Sequence, residues 1–163
     1  MRQRLIRTRN ECALQRSAMS ALYSTDILRL AVASAAYPPL SSPDARTERR
    51  AVPCGSRIIL DLALDDQGQV QTVGFAITAC AIGQAAAALL GASIAGHDAA
   101  TLTLAHDALA RWLAQPDAPT PAWPGIAALT PARAYPARHG AALLPFSAAA
   151  AAASAARARQ AAA

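Results

Sequence analysis

The chain has 163 residues, which fits one domain with some additional tail. Hydrophobic residues make up 54% of the chain but aromatic residues only 4%, so we expect a core of small side chains, mainly alanine, on closely packed helices. The formal net charge is +5, and every basic residue is arginine. Five arginines and one glutamate in residues 1–18 account for most of that charge, so the rest of the chain is nearly neutral and no nucleic-acid-binding surface is predicted.

Three cysteines, Cys12, Cys54 and Cys80, are too few for a disulfide framework. Their odd number indicates a reducing compartment, so we expect a cytoplasmic protein with free or metal-bound thiols. No apolar segment follows the arginine-rich start, and no signal peptide is predicted. Residues 67–97 carry no formal charge and are long enough to span a membrane, but glutamines and glycines interrupt them, so no membrane span is predicted either.

The first elements in chain order are a disordered extension and a short helix. Residues 1–18 form the extension, and a domain at residues 19–147 follows it. A helix is predicted at residues 22–36, where apolar residues recur on one side. A connection rich in proline leads to a short strand at residues 47–52.

A β-hairpin is the clearest pattern in the chain. Its arms are residues 56–64, where apolar and more polar residues alternate, and residues 69–76. Gly68 supplies the turn because it can adopt a positive φ. Cys54 precedes the first arm and Cys80 follows the second, so the hairpin is expected to carry both thiols to the same end of a sheet.

Helices are predicted after the hairpin, at residues 80–92 and at residues 99–114, the latter capped by Asp98. A last helix is predicted near residues 141–159, starting close to Leu144 because proline at position 145 is tolerated only in a first turn. Residues 148–163 are its alanine-rich end and a tail. The order predicts an α+β fold, with a three-stranded antiparallel sheet and helices packed on one face.

Three segments carry a resemblance to a known family. Cys54-Gly55-Ser56 is similar to a Cys-Gly-Asp turn, Ala79-Cys80-Ala81 to a Gly-Cys segment that starts a helix, and residues 136–144 to a stretch with a third cysteine, which falls on Ala141 here. In this respect residues 22–146 resemble the iron–sulfur cluster assembly scaffolds of the IscU, SufU and NifU N-terminal type. The resemblance implies a SufE/NifU-like fold, a cysteine desulfurase as sulfur donor and apo iron–sulfur proteins as clients.

The ligand set for a metal is incomplete. Most iron–sulfur clusters take four thiolates, and Cys54 and Cys80 supply two. His139 and Ser56 are weaker candidate ligands, and a homodimer could pool two cysteine pairs. Iron or an iron–sulfur cluster is the expected cargo. Zinc is a less favoured alternative. It has the same difficulty, since structural zinc sites also use four protein ligands.

Other functions remain open at this stage. A persulfide carrier needs only one reactive thiol, Cys80 or Cys54, and Cys80 is favoured because the start of a helix stabilises the thiolate form. Alternatively, both cysteines are inert core residues in a structural or regulatory module that has lost the chemistry. Ser56 has no visible His/Asp relay, so a scaffold or carrier is expected rather than an enzyme. Cys12 is expected to have no role.

Overall fold

The computed structural model describes residues 22–52 and 54–162, so the predicted extension at residues 1–18 and Cys12 lie outside the described residues. The described part contains one antiparallel sheet in the order β1-β2-β3. Its strands are β1 (Ala45–Ala51), β2 (Ser56–Leu64) and β3 (Val70–Thr78). The helices are α1 (Thr25–Ala33), which continues as a 3₁₀ turn (Ser34–Ala36), α2 (Ala81–Ser93), α3 (Ala99–Ala114), a 3₁₀ segment (Ile126–Ala134) and α4 (Pro136–Ala162).

The β2–β3 hairpin follows the predicted alternation. Ile58, Leu60 and Leu62 are fully buried and face the helices, as expected for a strand with one covered face. Gly68 has a φ of 78°, and the Asp65 carboxylate accepts the backbone N–H groups of residues 67 and 69 at 3.0 and 2.9 Å. The predicted turn is therefore confirmed.

The helices gather on the buried face of the sheet, which confirms the predicted α+β class. Helix α4 packs against β1 and β2, while α2 and α3 pack against α4, and α1 packs against α2. Alanines supply much of this core, and those of α4 with an exposure of 1% or less are Ala141, Ala142, Ala148, Ala149, Ala152, Ala153 and Ala156. Small side chains thus let the helices approach closely, as the composition predicts.

One described helix, α4, is long and apolar enough to cross a membrane by length and composition. However, 56% of its most apolar window is buried inside the protein. Since its neighbours are the sheet, α2 and α3, it is the central helix of the core. Residues 67–97 form β3 and α2 with a break between them, so they are not one continuous span.

The C-terminal prediction is wrong at the start of α4. The helix begins at Pro136, about two turns before the predicted start, and Pro145 lies in its buried interior. Proline removes one helical hydrogen bond, and the burial of Leu144, Pro145 and Phe146 offsets that loss. The 3₁₀ segment before α4 was not predicted, and β1 begins two residues earlier than the predicted strand.

The sheet face away from the helices is partly covered by residues 37–40. The Tyr37 carbonyl accepts the Phe75 N–H at 2.9 Å, and Leu40 N–H donates to the Asp61 carboxylate at 3.1 Å. Asp61 is fully buried, and Arg46 donates two hydrogen bonds to its carboxylate at 2.7 and 2.9 Å. This ion pair therefore joins two strands beneath the crossing segment.

Candidate functional site

Cys54 lies in the connection between β1 and β2. The next residue, Gly55, has a φ of 68° and donates its N–H to the Ala51 carbonyl at 3.0 Å. A positive φ is costly for residues with a side chain, so glycine is the residue that suits this turn. The half-buried Cys54 Sγ lies 3.2 Å from Ser56 Oγ and 3.7 Å from the Ala51 carbonyl oxygen.

The surroundings of Cys54 lower the pKa of its thiol below the ordinary value. Burial alone raises this pKa, but hydrogen bonds from the Ser56 side chain, from the Ser56 and Cys54 backbone and the positive charge of Arg138 outweigh that effect. The thiolate is the nucleophile and the metal ligand, so this environment favours both kinds of chemistry at Cys54.

Cys80 occupies the N-cap position of α2, as predicted. It is half-buried, and its carbonyl accepts the Gln84 N–H at 3.1 Å. The register of the β2–β3 ladder pairs Arg57 with Thr78 at its last position. Cys54 lies just before that position and Cys80 just after it, so both thiols are at the same end of the sheet.

The first turns of α4 reach the same end. A Cβ atom on Gly140 would lie 3.4 Å from the Ala51 Cβ, so α4 contacts the strand beside Cys54. A Cβ atom on Gly83, in the first turn of α2, would lie 3.3 Å from the Ala141 carbonyl oxygen and 3.5 Å from the Ala141 Cβ. Ala141, onto which the resemblance places the third cysteine, is thus fully buried next to the helix that Cys80 begins.

The weaker candidate ligands are placed differently from each other. Ser56 is 3% exposed and contacts Cys54 directly. His139 is half-buried, and its Nε2 lies 3.2 Å from the carbonyl oxygen of Arg133. Within residues 22–52 and 54–162, no three His, Cys, Asp or Glu side chains lie close enough to hold a metal ion. The fold therefore does not gather Cys54, Cys80 and His139 into one group.

A cavity beside Cys54 was not predicted. Its volume is about 510 Å³, and it is lined by Cys54, Arg138, Leu22, Tyr23 and residues 134–137. Arg138 forms no ion pair with any residue in the described part of the chain. Arg138 lies within residues 136–144, which carry the resemblance, so its place in the sequence was the available signal for a role at the site.

No protein-family model matches the chain, and no curated protein matches it.

Solved structures give clear matches. A nitrogen-fixing NifU-like protein (N-terminal) from Brucella abortus is 31% identical, with a TM-score of 0.72 over 88% of this chain and 96% of that chain. A proposed iron–sulfur cluster assembly scaffold protein for the SUF system from Fervidobacterium islandicum is 19% identical, with a TM-score of 0.73 over 82% of this chain and 98% of that chain. The second match supports the fold, while the first also relates the sequences over nearly their whole length.

Proposed function

Because the chain belongs to the NifU-like family of iron–sulfur cluster assembly scaffolds, we propose that it is itself such a scaffold, with iron or a cluster as its cargo. The cargo binds at Cys54 and Cys80. The observation that carries this proposal is the position of the two thiols at one end of the sheet, one in a turn and one at a helix start. Both cysteines are free and half-buried, so neither forms a disulfide and neither is fully buried in the core.

Two thiolates leave the cargo with open coordination positions. Most iron–sulfur clusters take four cysteine ligands. A homodimer that faces two such sites toward each other would supply four thiolates, and Ser56, which contacts Cys54, is the weaker protein alternative. Zinc would face the same shortage. An incomplete site suits a protein that passes its cargo on to apo iron–sulfur clients, since fewer protein ligands must be displaced.

Anaerobic reconstitution with iron and sulfide tests the scaffold role. The wild-type protein is expected to gain visible charge-transfer absorbance, bound iron and acid-labile sulfide. Cys54→Ala and Cys80→Ala are each expected to lose most of that signal, and Cys12→Ala, whose cysteine lies in the arginine-rich extension, to keep it. A wild-type protein that gains neither absorbance nor sulfide would refute the proposal.

A second candidate function, a persulfide carrier, is favoured by the surroundings of Cys54. The Ser56 hydroxyl and the Arg138 charge both lower the pKa of that thiol. The Cys54 thiolate would attack the terminal sulfur of a persulfide on a cysteine desulfurase. A new S–S bond would form on Cys54 while the donor's S–S bond breaks, and the donor cysteine would leave as a thiolate. The carrier residue is then Cys54 rather than Cys80, which the helix start alone had favoured.

Mass spectrometry after incubation with a cysteine desulfurase and free cysteine separates the candidates. A carrier gains one sulfur atom, which Cys54→Ser loses and Cys80→Ser retains. A structural or regulatory module, the third possibility, would show neither added sulfur nor bound iron, and replacing both cysteines would leave its partner binding unchanged. All three functions fit a cytoplasmic protein that is not an enzyme.

A further inference from the structure

Positive charge is concentrated at the Cys54 end of the sheet. Residues 22–162 contain ten arginines and nine acidic residues, so this part of the chain is nearly neutral. Three of those arginines lie at the strand ends that flank the Cys54 turn, a fourth lines the cavity beside Cys54, and the acidic residue at these strand ends is Glu48. We call Arg49, Arg50, Arg57 and Arg138, together with Glu48, the basic hairpin end. Its net charge is positive, and the rest of the described chain is slightly negative.

The strand register explains this concentration. The last β1–β2 pair, Ala51 with Ser56, closes the turn that holds Cys54. Arg50 pairs with Arg57 at the position next to it. These two arginines point to the sheet face away from the helices. Because side chains alternate along a strand, Arg49 points to the opposite face. Arginine side chains therefore leave both faces of the β1–β2 pair next to the turn that carries the thiol.

Internal pairing leaves much of this charge available. Glu48 accepts hydrogen bonds from Arg50 at 3.0 Å and from Arg57 at 2.8 and 2.9 Å, so one carboxylate is shared by two guanidinium groups. Among the residues that the structure describes, Arg49 bonds only to the backbone carbonyl of Glu48, at 3.4 Å. Arg138 has no ion-pair partner among the described residues and lines the cavity beside Cys54.

An exposed apolar residue directly follows β1, next to the basic hairpin end. Val52 is 90% exposed, the most exposed large hydrophobic side chain in the described part of the chain. It is two residues before Cys54 in the same connection. An exposed apolar side chain next to like charges supplies an apolar contact for a partner of opposite charge.

From this arrangement we propose that the basic hairpin end is a docking surface for an acidic segment of a partner protein, with Val52 as its apolar contact. The inference rests on the proposed function, because such a segment would deliver sulfur to Cys54 or receive cargo from it. Complementary charge speeds encounter and aligns the partners before contact. A nucleic acid is less suitable, since the rest of the described surface is slightly negative and would repel a phosphate backbone.

Disulfide exchange at Cys54 tests the surface without iron, sulfide or a purified partner. The protein carries Cys12→Ser and Cys80→Ser, so that Cys54 alone reacts. Two peptide probes each contain one cysteine in an activated mixed disulfide, flanked by glutamates in one probe and by glutamines in the other. The glutamate probe is expected to react about tenfold faster at low salt. Its advantage should largely disappear at about 1 M salt, where charges are screened.

Two sets of substitutions are expected to change the rate preference for the glutamate probe in opposite directions. Arg49→Gln with Arg50→Gln removes two positive charges and keeps the Arg57–Glu48 pair, so the preference for the acidic probe should fall severalfold. Glu48→Gln removes the negative charge at this end, so the preference should rise. The control, Arg157→Gln with Arg159→Gln, removes two arginines near the other end of the sheet, where Gln160 contacts the β2–β3 turn. It should leave the preference unchanged.

Equal rates for the two probes at low salt would overturn the proposal, and so would the same fall in the control as in the hairpin variant. The proposal would also be overturned if a single-stranded oligonucleotide inhibited disulfide exchange at a lower concentration than a thiol-free glutamate peptide does. Reconstitution with iron and sulfide is scored separately. If reconstitution fails while the charge preference follows the hairpin variants, the scaffold role is refuted and the docking surface stands.

Discussion

Ala141→Cys would supply the thiol that the family resemblance expects and this chain lacks. Ala141 is fully buried, and its methyl group is 3.5 Å from the place where a Cβ on Gly83 would lie. The added sulfur therefore enters the fully buried space where α4 packs next to Gly83 of α2. Overpacking of this kind costs about 1–3 kcal/mol. For a domain of this size each kcal/mol lowers Tm by roughly 2–4 °C, so the metal-free variant should melt several degrees below the wild type.

Added zinc should reverse that loss if the new thiol joins Cys54 and Cys80. A metal ion at about a hundredfold excess over its Kd stabilises the folded protein by about 2.7 kcal/mol, which is comparable with the overpacking cost. Thermal melts of reduced protein with and without zinc measure both effects. Competition with a chromophoric chelator measures the affinity itself, and the variant should bind zinc at least about tenfold more tightly than the wild type.

Ala142→Cys is the matched control. Ala142 is also fully buried in α4, but it lies about 100° farther around the helix. It should suffer a similar loss of Tm without zinc and recover little with zinc. If zinc stabilises both variants equally, or neither of them, then position 141 does not complete the site and the reasoning from the resemblance is refuted.

Three further predictions concern the sheet and the Cys54 turn. In Gly74→Ala the new methyl group would overlap the Pro38 carbonyl oxygen, so urea unfolding should show a loss of about 1–3 kcal/mol; an unchanged midpoint would contradict the close approach. Ser56→Ala removes a hydrogen bond that lowers the pKa of the Cys54 thiol. With Cys54 as the sole cysteine, the pH profile of iodoacetamide alkylation should therefore shift to higher pH. An unshifted profile would contradict the assignment of this hydrogen bond. Hydrogen bonds from Arg57 and Arg50 lower the pKa of Glu48 from 4.5 to about 2. Its ion pairs therefore stabilise the fold above pH 4.5, and this stabilisation is lost as the pH falls toward 2. In Glu48→Gln this small, exposed contribution should be absent; parallel acid-unfolding curves for variant and wild type would argue against it.

The hairpin and the fold class could be predicted because their signals are local. Alternation from Ile58 to Leu64, a turn glycine at position 68 and an aspartate cap at position 98 each determine nearby backbone geometry. The start of α4 could not be predicted in this way. The helix tolerates Pro145 because residues distant in sequence surround it, and no local rule contains that packing.

The candidate site was predicted in part for the same reason. The hairpin alone places Cys54 and Cys80 at one end of the sheet. By contrast, the closeness of Arg138 to Cys54 depends on how α4 packs against β1 and β2. Ser56 was considered as a metal ligand, and only the turn geometry shows it as the hydrogen-bond partner of the thiol. Charge pairing around Glu48 likewise depends on the β1–β2 register.

Pro145 also divides α4 into two parts that contact different regions of the protein. A proline has no N–H, so the carbonyl of Ala141 cannot receive the usual helical hydrogen bond at that point. The preceding turns carry Arg138 and contact the strand beside Cys54, while the following turns hold five of the seven buried alanines of α4. A helix bends most readily where its hydrogen-bond ladder is interrupted. The hydrogen-bond ladder of α4 is therefore interrupted at the boundary between the turns near Cys54 and the turns that pack in the core.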